Sequence, residues 1–420
     1  MRNLFRLSFA SVSAACLAVT LSAQQLPNTV VIGSLQIDDP VKSLVERLDL
    51  EKYKATIKGL TQFGDRRQGT KRNRDAVDWI EAQLKSYGCT NTERIKYVYT
   101  APAPREGAAG GRGGRGGGGG RGANPAATDR KRPGQGGSTI FGTTARTGVN
   151  TDPMAQPDEK LRALNAEPAT DGPREEVYCT KIGTTHPEEM YIIGGHMDGL
   201  GWGEAANDDG SGTAIVMELA RIFSSPDVRT ERSIRFILFN NEETGGGAKA
   251  YVDQRKDLQG KDDPAGSGKY PEPKWLGMIQ HDMMMFDHGM PDENGKVSPE
   301  QRREADVNIE FAGAATMSEA AQRLAWVLEA ANEKYATDYP AAVGPHMTNT
   351  DSGSFQNVVG AVSLRESERG AQVGGGWDPH WHQPTDVFAT FSDKDFKLGL
   401  NAAQTTLAAI AQLTGAAVKK

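Results

Sequence analysis

The sequence has little of several features that would point to particular classes of protein. Its 420 residues include only three cysteines and seven histidines, and its 48 basic residues are outnumbered by 54 acidic ones. A net charge of -6 provides no basic field for nucleic acid or an anionic membrane surface. Beyond the N-terminus, no stretch approaches the roughly 20 apolar residues that a membrane helix needs. We therefore expect neither a nucleic-acid partner nor a membrane span. The chain is long enough to form a large buried core.

The first 23 residues are typical of a secretory signal peptide. Two arginines precede an apolar run over residues 7–21, and small residues follow around Ala23. This run is too short to cross a membrane stably. We expect cleavage near Ala23 and export to the periplasm or the medium. A lipid anchor at Cys16 is not expected, because Ser13 stands where a larger aliphatic residue belongs.

Removal of this leader leaves two cysteines, Cys89 and Cys179. In an oxidising compartment such a pair can close a disulfide. Two cysteines are too few for a folding framework, and neither has a Cys or His neighbour at metal-binding spacing. We expect either two partly buried thiols or one bridge, and no chemistry from them.

One segment of the mature chain cannot contribute to a core. Residues 105–137 consist largely of glycine, arginine and small residues, so burial cannot offset the entropy lost on ordering. The tract lacks interleaved aromatic residues and interrupts a region that contains strands, which favours a disordered surface insertion over a nucleic-acid-binding tail. It separates the N-terminal helices and first strand of a catalytic domain, residues 24–104, from the main part of that domain, residues 138–420.

The pattern of apolar residues predicts an α/β fold. Before the insertion it indicates helices over 41–53 and 75–87 and a strand over 95–99. After it, strands and helices alternate. The predicted strands cover 177–182, 190–196, 233–240, 275–280 and 361–364, and the predicted helices cover 212–223, 318–335 and 393–413. Such alternation predicts a mixed, mainly parallel central sheet flanked by helices, with ligands bound beyond the carboxyl ends of its strands.

Two groups of side chains that can bind metals precede the predicted helix over 212–223. His196 ends a strand, where an imidazole is a good zinc ligand, and Asp198 can accept the other ring N–H. Ten residues later, Asp208 and Asp209 directly precede the helix. Helix capping accounts for one aspartate. The second carboxylate can bridge two cations, because each of its oxygens can bind one.

Further ligand-type side chains follow the next two strands. Glu242 and Glu243 come directly after a buried strand, where two like charges are costly to crowd together unless a cation compensates. One can serve as a ligand and the other as a general base. Asp282 follows the next strand, and a late loop carries His380 and His382. Ligands at successive strand ends jointly indicate a metal centre.

These motifs closely resemble the zinc exopeptidase family that contains the bacterial leucyl aminopeptidases and the glutamate carboxypeptidases. The matching strings are GTTHPEEMYIIGGHMDG, ANDDGSGTA, FNNEETGGGAKAYV, MIQHDM and HQPTD, between residues 183 and 386, with a weaker match over 48–88. The resemblance implies a three-layer, phosphorylase/hydrolase-like fold. It also implies an exopeptidase that uses two zinc ions per chain. Together with the predicted signal peptide, it makes a secreted aminopeptidase, which hydrolyses N-terminal residues of a peptide substrate, our leading prediction.

The resemblance also implies the ligands of the two zinc ions. Asp208 would bridge them, and the remaining ligands divide between one site and the other as His196 with Asp282, and Glu243 with His382. His380 is the alternative to His382, and the HQPTD context favours His382.

Other residues of the implied site have roles besides zinc binding. Glu242 would be the general base that takes a proton from the attacking water and passes it to the leaving amine. Asp198 would orient His196. The peptide bond between Asp208 and Asp209 is typically cis in the family.

One position departs from the family pattern. Several relatives have a tyrosine immediately before the last histidine, where its hydroxyl can stabilise the oxyanion, whereas this chain has Trp381. Either another donor such as His380 or His346 takes that task, or the zinc ions suffice. The sequence leaves both alternatives open.

Three other functions are alternatives to the predicted aminopeptidase activity. A carboxypeptidase or dipeptidase of the same fold would need basic residues to hold a substrate carboxylate, and Arg365 and Arg369 are candidates. A non-catalytic, receptor-like relative should have lost ligands, whereas this chain retains the full set. A single-zinc glutaminyl cyclase is disfavoured because the ligand set fits two metals. No sequence motif indicates which substrate side chain the protein prefers or which oligomeric state it adopts.

Overall fold

The structure is a computed structural model that describes most of the chain after residue 38. The described residues are 39–89, 91–101, 139–140, 143–144, 149–287, 307–345, 347, 350–366 and 378–419. The predicted signal peptide with Cys16, the Gly/Arg tract, His346 and Arg369 lie outside them, so the predictions on these segments stay predictions. Asp39–Lys420 forms one structural unit.

The N-terminal region contains three helices where two were predicted. They are α1 (Pro40–Val45), α2 (Leu50–Thr61) and α3 (Lys71–Ser86). The predicted helix over 41–53 is wrong because the chain leaves the helix after Val45 and Asp49 begins a new one, its side chain accepting a hydrogen bond from the Lys52 N–H. Thr70 caps α3 in the same way, through the Asn73 N–H.

The strands of the described residues form one large mixed sheet of eight strands and two small sheets of two strands each. Their bounds are β1 (Glu93–Tyr99), β2 (Thr139–Ile140), β3 (Thr143–Thr144), β4 (Gly172–Lys181), β5 (His186–His196), β6 (Val228–Arg229), β7 (Arg232–Phe239), β8 (Lys274–His281), β9 (Val307–Phe311), β10 (Ala341–Gly344), β11 (Ala361–Arg365) and β12 (Ala417–Val418). The large sheet has the order β1-β4-β7-β5-β8-β11-β9-β10. Four of its seven neighbouring pairs are parallel, including the central β7-β5-β8-β11 run, and three are antiparallel. The predicted fold class is confirmed.

Helices cover both faces of this sheet. The remaining ones are α4 (Glu159–Asn165), α5 (Gly210–Phe223), α6 (Gly247–Arg255), α7 (Ser318–Tyr335) and α8 (Asp393–Leu413). Alternate strand residues point to opposite faces. Ile193 belongs to the larger core, which includes α1, α2, α3, α5, α7 and α8, and Ile192 belongs to the smaller core with α6. None of the described helices has the length and apolar character that a membrane crossing requires.

A disulfide ties the N-terminal helices to the sheet. Cys89, three residues after the end of α3, is bonded to Cys179 in β4. Of the two alternatives left open by the sequence, the bridge is the one found, and both cysteines are buried.

The strand order brings the predicted ligands together. β5 lies between β7 and β8 and is parallel to both, so the three strands end at the same edge of the sheet. His196 pairs with Phe239, the last residue of β7, and Gly194 pairs with Gln280 near the end of β8. The loops that follow therefore carry their carboxylates to the side of His196.

Candidate metal centre

The site begins where helix α5 approaches the end of β5. Close contact between them needs glycine, because a β-carbon on Gly195 would lie 2.9 Å from the carbonyl carbon of Gly212. Asp209, the residue before α5, accepts hydrogen bonds from the backbone N–H groups of His196 at 3.0 Å, Gly212 at 2.8 Å and Met283 at 3.2 Å. One buried carboxylate thus joins the end of β5, the start of α5 and the loop after β8. The peptide bond between Asp208 and Asp209 is cis, as the resemblance implied.

Asp208 lies between two groups of ligand-type side chains. Its Oδ1 is 3.4 Å from Nε2 of His196, which is in turn 3.8 Å from Oδ1 of Asp282. Its Oδ2 is 3.0 Å from Nε2 of His382, which is 2.7 Å from Oε2 of Glu243. Each oxygen of one carboxylate therefore faces a different imidazole. The two groups are contiguous, since ligand atoms of His196, Asp208 and Glu243 all lie within 4.8 Å of one another.

The donor set fits zinc. Ligand atoms around a tetrahedral zinc are roughly 3.4 Å apart, because each bond is about 2.0–2.2 Å long. The contacts of His196 have this spacing, while those of His382 are short enough to be hydrogen bonds. Oε1 of Glu243 is buried and has no hydrogen-bond partner among the described residues. Nitrogen and carboxylate ligands with an unsatisfied buried oxygen are what a zinc site offers.

The charges of this cluster depend strongly on one another. Burial opposes protonation of His382, but Glu243 and Asp208 outweigh it and raise the pKa of His382 to about 10. Burial raises the pKa of Glu243 to about 7, although His382 acts in the opposite direction. Burial acts to raise the pKa of Asp208, but the neighbouring His196 and His382 imidazoles outweigh it and bring this pKa below its usual range. Positive charge on the imidazoles would offset the crowding of these carboxylates, a task that bound cations can take over.

Asp198 has a different contact from the one predicted. The ring Nδ1 of His196 is 3.0 Å from the backbone oxygen of Asp198 and 3.8 Å from its carboxylate. The prediction that this carboxylate accepts the ring N–H is wrong in detail, because the backbone carbonyl does so. Oδ1 of Asp198 instead accepts a hydrogen bond from the Glu242 N–H at 3.1 Å. Asp198 therefore fixes the backbone of the predicted general base.

Glu242 is placed beside the ligands by the turn after β7. Burial raises its pKa well above the usual range, and the neighbouring Glu243 adds to the effect while His196 opposes it. A carboxylate with a raised pKa is suited to accept a proton and to release it later in the same reaction.

The structure separates the two histidines of the late loop. His382 lies in the cluster, whereas Nδ1 of His380 is 2.8 Å from Oγ1 of Thr385, and its ring contacts Phe286 and Phe391 edge-on. Trp381 stacks on the ring of His382 with 4.0 Å between ring centroids and 23° between the planes. The indole thus covers one face of a predicted ligand.

Arg365 supports a predicted ligand and is not available to hold a substrate carboxylate. It is buried, and its Nη2 is 2.7 Å from Oδ2 of Asp282. The other oxygen of Asp282 faces His196. Thr350 also donates its hydroxyl to Oδ2 of Asp282, at 2.8 Å.

Two further carboxylates of the site were not predicted. Asp386 accepts the backbone N–H groups of Asn207 at 2.8 Å and Asp208 at 3.1 Å, and so positions the central carboxylate. Asp351 has its pKa raised to about 7 by burial and, further, by Asp198, against the opposing effect of His196. Asp386 is the last residue of the HQPTD string, but the sequence analysis gave it no role. Asp351 lies in no motif that the sequence analysis identified.

Comparison with known proteins shows which family the chain matches. The family model of peptidase family M28 matches residues 177–405, a range that includes all the predicted ligands. Carboxypeptidase Q of Xenopus laevis is 36% identical over 76 residues, 18% of this chain and 16% of that protein. Aminopeptidase YwaD of Bacillus subtilis (strain 168) is 42% identical over 69 residues, 16% of this chain and 14% of that protein. These matches span less than a fifth of each relative's length.

The fold also has solved counterparts. BSAP, a zinc aminopeptidase from Bacillus subtilis, aligns with a TM-score of 0.57 at 16% identity, over 89% of this chain and 96% of that chain. At this identity, the likeness shows a shared fold.

Proposed function

This chain belongs to peptidase family M28, whose model matches more than half of it, and we propose from this that it is a secreted aminopeptidase that binds two zinc ions. It would hydrolyse the N-terminal residue from a peptide. The observation that carries the proposal is the position of Asp208, whose two oxygens face two imidazoles in opposite halves of one buried cluster.

The zinc ions would be held by residues already close together. Asp208 would bridge them, with His196 and Asp282 on one side and Glu243 and His382 on the other. Bound zinc supplies Lewis acidity, which polarises a scissile carbonyl and makes water a nucleophile near neutral pH.

The chain's own residues would move the proton. The carboxylate of Glu242 accepts it from the attacking water and delivers it to the amine that leaves. Asp198 keeps this carboxylate in place through its hydrogen bond to the Glu242 N–H. Trp381 stacks on His382 and limits the movement of that ring.

Two observations favour the amino end of the peptide. The site contains several buried carboxylates, including Glu242 and Asp351, whose pKa values are raised, and a substrate ammonium group would relieve their crowding. Arg365, the candidate for binding a substrate carboxylate that the structure describes, is paired with Asp282. A carboxypeptidase would need another cation.

A substrate panel combined with one variant tests the proposal. Wild-type protein should cleave aminoacyl anilides and unblocked peptides but not their N-acetylated forms. Glu242→Gln should lower kcat by at least about 1,000-fold with zinc content unchanged, because it removes the proton acceptor and no ligand. Glu188→Gln, on a half-exposed residue of β5, is the matched control and should keep wild-type rates.

Each competing function predicts a different result. Cleavage of N-blocked peptides from the C-terminus would support a carboxypeptidase. Absence of both zinc and hydrolysis would support a receptor-like protein, and conversion of N-terminal glutamine without peptide cleavage would support a cyclase. Retained turnover in Glu242→Gln would contradict the assignment of the base.

Export is supported by the N-terminal sequence and by the disulfide. Disulfides persist mainly in oxidising compartments, and Cys89 and Cys179 are joined. Expression of the full chain followed by N-terminal sequencing of the extracytoplasmic product should give a start near residue 24. An intact N-terminus on cytoplasmic protein would refute export.

A further inference from the structure

We propose that Arg66 is a positioning residue, which fixes the loop between two metal ligands by binding its carbonyl oxygens. The loop is residues 197–207, between His196 and Asp208. The inference rests on the proposed function, because these ligands are the ones assigned to zinc.

The guanidinium group of Arg66 is directed at this loop. Its Nε donates to the oxygen of Met197 at 2.6 Å, Nη1 donates to the oxygen of Glu204 at 2.8 Å, and Nη2 donates to the oxygen of Ala205 at 2.8 Å. A fourth bond, at 3.2 Å, joins Nη1 to the oxygen of Gly64 in its own turn. The side chain therefore connects the residue after His196 to residues just before Asp208.

The loop needs an external support of this kind. Trp202 and Ala205 have φ values of 72° and 48°, in the left-handed region that residues with a β-carbon avoid. Such conformations persist when surrounding contacts determine them. The carbonyl of Ala205 is one of the groups that Arg66 binds, so the support acts on a strained residue.

Arg66 is itself rigidly held. Its side chain is fully buried, and its backbone oxygen accepts a hydrogen bond from Nδ2 of Asn73 in α3 at 2.7 Å. Among the described residues, no carboxylate forms an ion pair with it within 4.0 Å. Its planar guanidinium group instead directs several N–H donors at carbonyl oxygens. The single ammonium nitrogen of a lysine cannot reproduce this arrangement of donors.

A comparison with another buried arginine separates positioning from general stability. Arg235 is equally buried, but its partners are Thr180, Tyr251 and Glu272, none of them in the metal centre. Replacement of either arginine should destabilise the fold. Only replacement of Arg66 should alter the metal centre.

Zinc affinity provides the test, measured by competition with a chelator on Arg66→Lys and Arg235→Lys. We expect Arg66→Lys to weaken zinc binding by roughly 10- to 100-fold, as loss of supporting contacts does in other metal sites, and to change the visible spectrum of the cobalt-substituted protein. Arg235→Lys should match wild type in both. Arg66→Gln is the second variant if a buried lysine prevents folding, and millimolar guanidinium should partly restore zinc affinity to Arg66→Ala.

The outcomes distinguish this inference from the proposed function. Wild-type zinc affinity and an unchanged cobalt spectrum in folded Arg66 variants would overturn the role of Arg66 while leaving the peptidase assignment intact. Equal weakening in Arg66→Lys and Arg235→Lys would reduce the role to general stability and also overturn it. Failure of the wild-type chain to bind zinc would contradict the proposed function instead.

Discussion

Adjacent residues in this site have opposite electrostatic properties. Burial acts to raise the pKa of both Asp208 and Asp209, but two neighbouring imidazoles bring the pKa of Asp208 below its usual range, whereas the pKa of Asp209 lies far above it. The difference follows from their partners, since Asp209 accepts only neutral backbone N–H groups in the contacts described above. Two side chains of the same type, one residue apart, would thereby serve different purposes, Asp208 as a proposed metal ligand and Asp209 as a structural link.

Glu176 in β4 leads to a prediction about pH and stability. It is fully buried, its Oε1 has no hydrogen-bond partner among the described residues, and burial followed by the charge of Asp351 raises its pKa well above 4.5. A raised carboxyl pKa contributes stability below the unfolded pKa, and this is lost as pH rises through the folded pKa. Glu176→Gln should therefore stabilise the protein at pH 7 to 8 and have little effect near pH 4.

The adjacent residue is a matched control for this effect. Glu175 has its pKa lowered because hydrogen bonds from Arg94 and Lys96 outweigh partial burial. Glu175→Gln should be slightly destabilising at neutral pH, the opposite sign, and small because exposed pairs contribute little. Denaturant unfolding at several pH values measures both, and equal pH dependence in wild type and Glu176→Gln would contradict the account.

At the scale of elements, the loops beyond β5, β7 and β8 bring the site together, and Asp386 shows how a distant loop supports them. Its carboxylate accepts hydrogen bonds from the N–H groups of Asn207 and Asp208, which lie 179 and 178 positions away in the sequence. Asp386→Ala should lower zinc affinity about 10-fold or more and lower kcat with it. Isothermal titration with zinc measures this, with Asp393→Ala, on a salt bridge remote from the site, as the control. Unchanged affinity in Asp386→Ala would show that the loop needs no such support.

The disulfide between α3 and β4 leads to a second prediction at this scale. It closes a loop with a sequence separation of 90, so its loss should reduce the free energy of unfolding by about 3 to 5 kcal/mol. Cys89→Ala combined with Cys179→Ala should show this loss in urea unfolding while kcat stays near wild type, because both cysteines belong to the larger hydrophobic core and are not among the predicted ligands. Equal stability of the double variant and the wild type would indicate that the bridge does not stabilise the fold by restricting the unfolded chain.

The elements also show what can be predicted from the sequence. Helices α7 and α8 have the predicted bounds because their apolar periodicity is strong, and α8 begins with a capping box at Ser392 and Asp395. The break between α1 and α2 was missed because Asp49 looks like one polar residue in a continuous apolar pattern. Helix α6 was also missed, since it begins after Gly246 at a φ of 151° and has little amphipathic pattern.

The same distinction applies to the site residues. Three of the five predicted ligands, His196, Glu243 and Asp282, lie at or just after strand ends, where parallel strands present their side chains. Asp208 and His382 were predicted from the resemblance of their motifs to the family. Arg66, Asp351 and Asp386 could not be predicted, because their roles depend on backbone groups and charges far away in sequence, which no local pattern encodes.

At the scale of the whole molecule, the mixed sheet and its helices place a concentration of buried carboxylates at one edge. Such crowding destabilises a fold unless protons or cations compensate. Zinc would stabilise the native state by an amount that grows with the logarithm of its binding affinity, because the unfolded chain does not present the assembled ligands. Family membership shows that the chain is a peptidase, and the geometry of Asp208 supports the proposal that this edge binds zinc.

The most direct test of this account is the zinc stoichiometry of the purified full chain, measured by elemental analysis after excess metal is removed. The account predicts two zinc ions per chain in wild type, because the two oxygens of Asp208 face separate ligand pairs. A content of one zinc ion or none in the folded, active protein would contradict it.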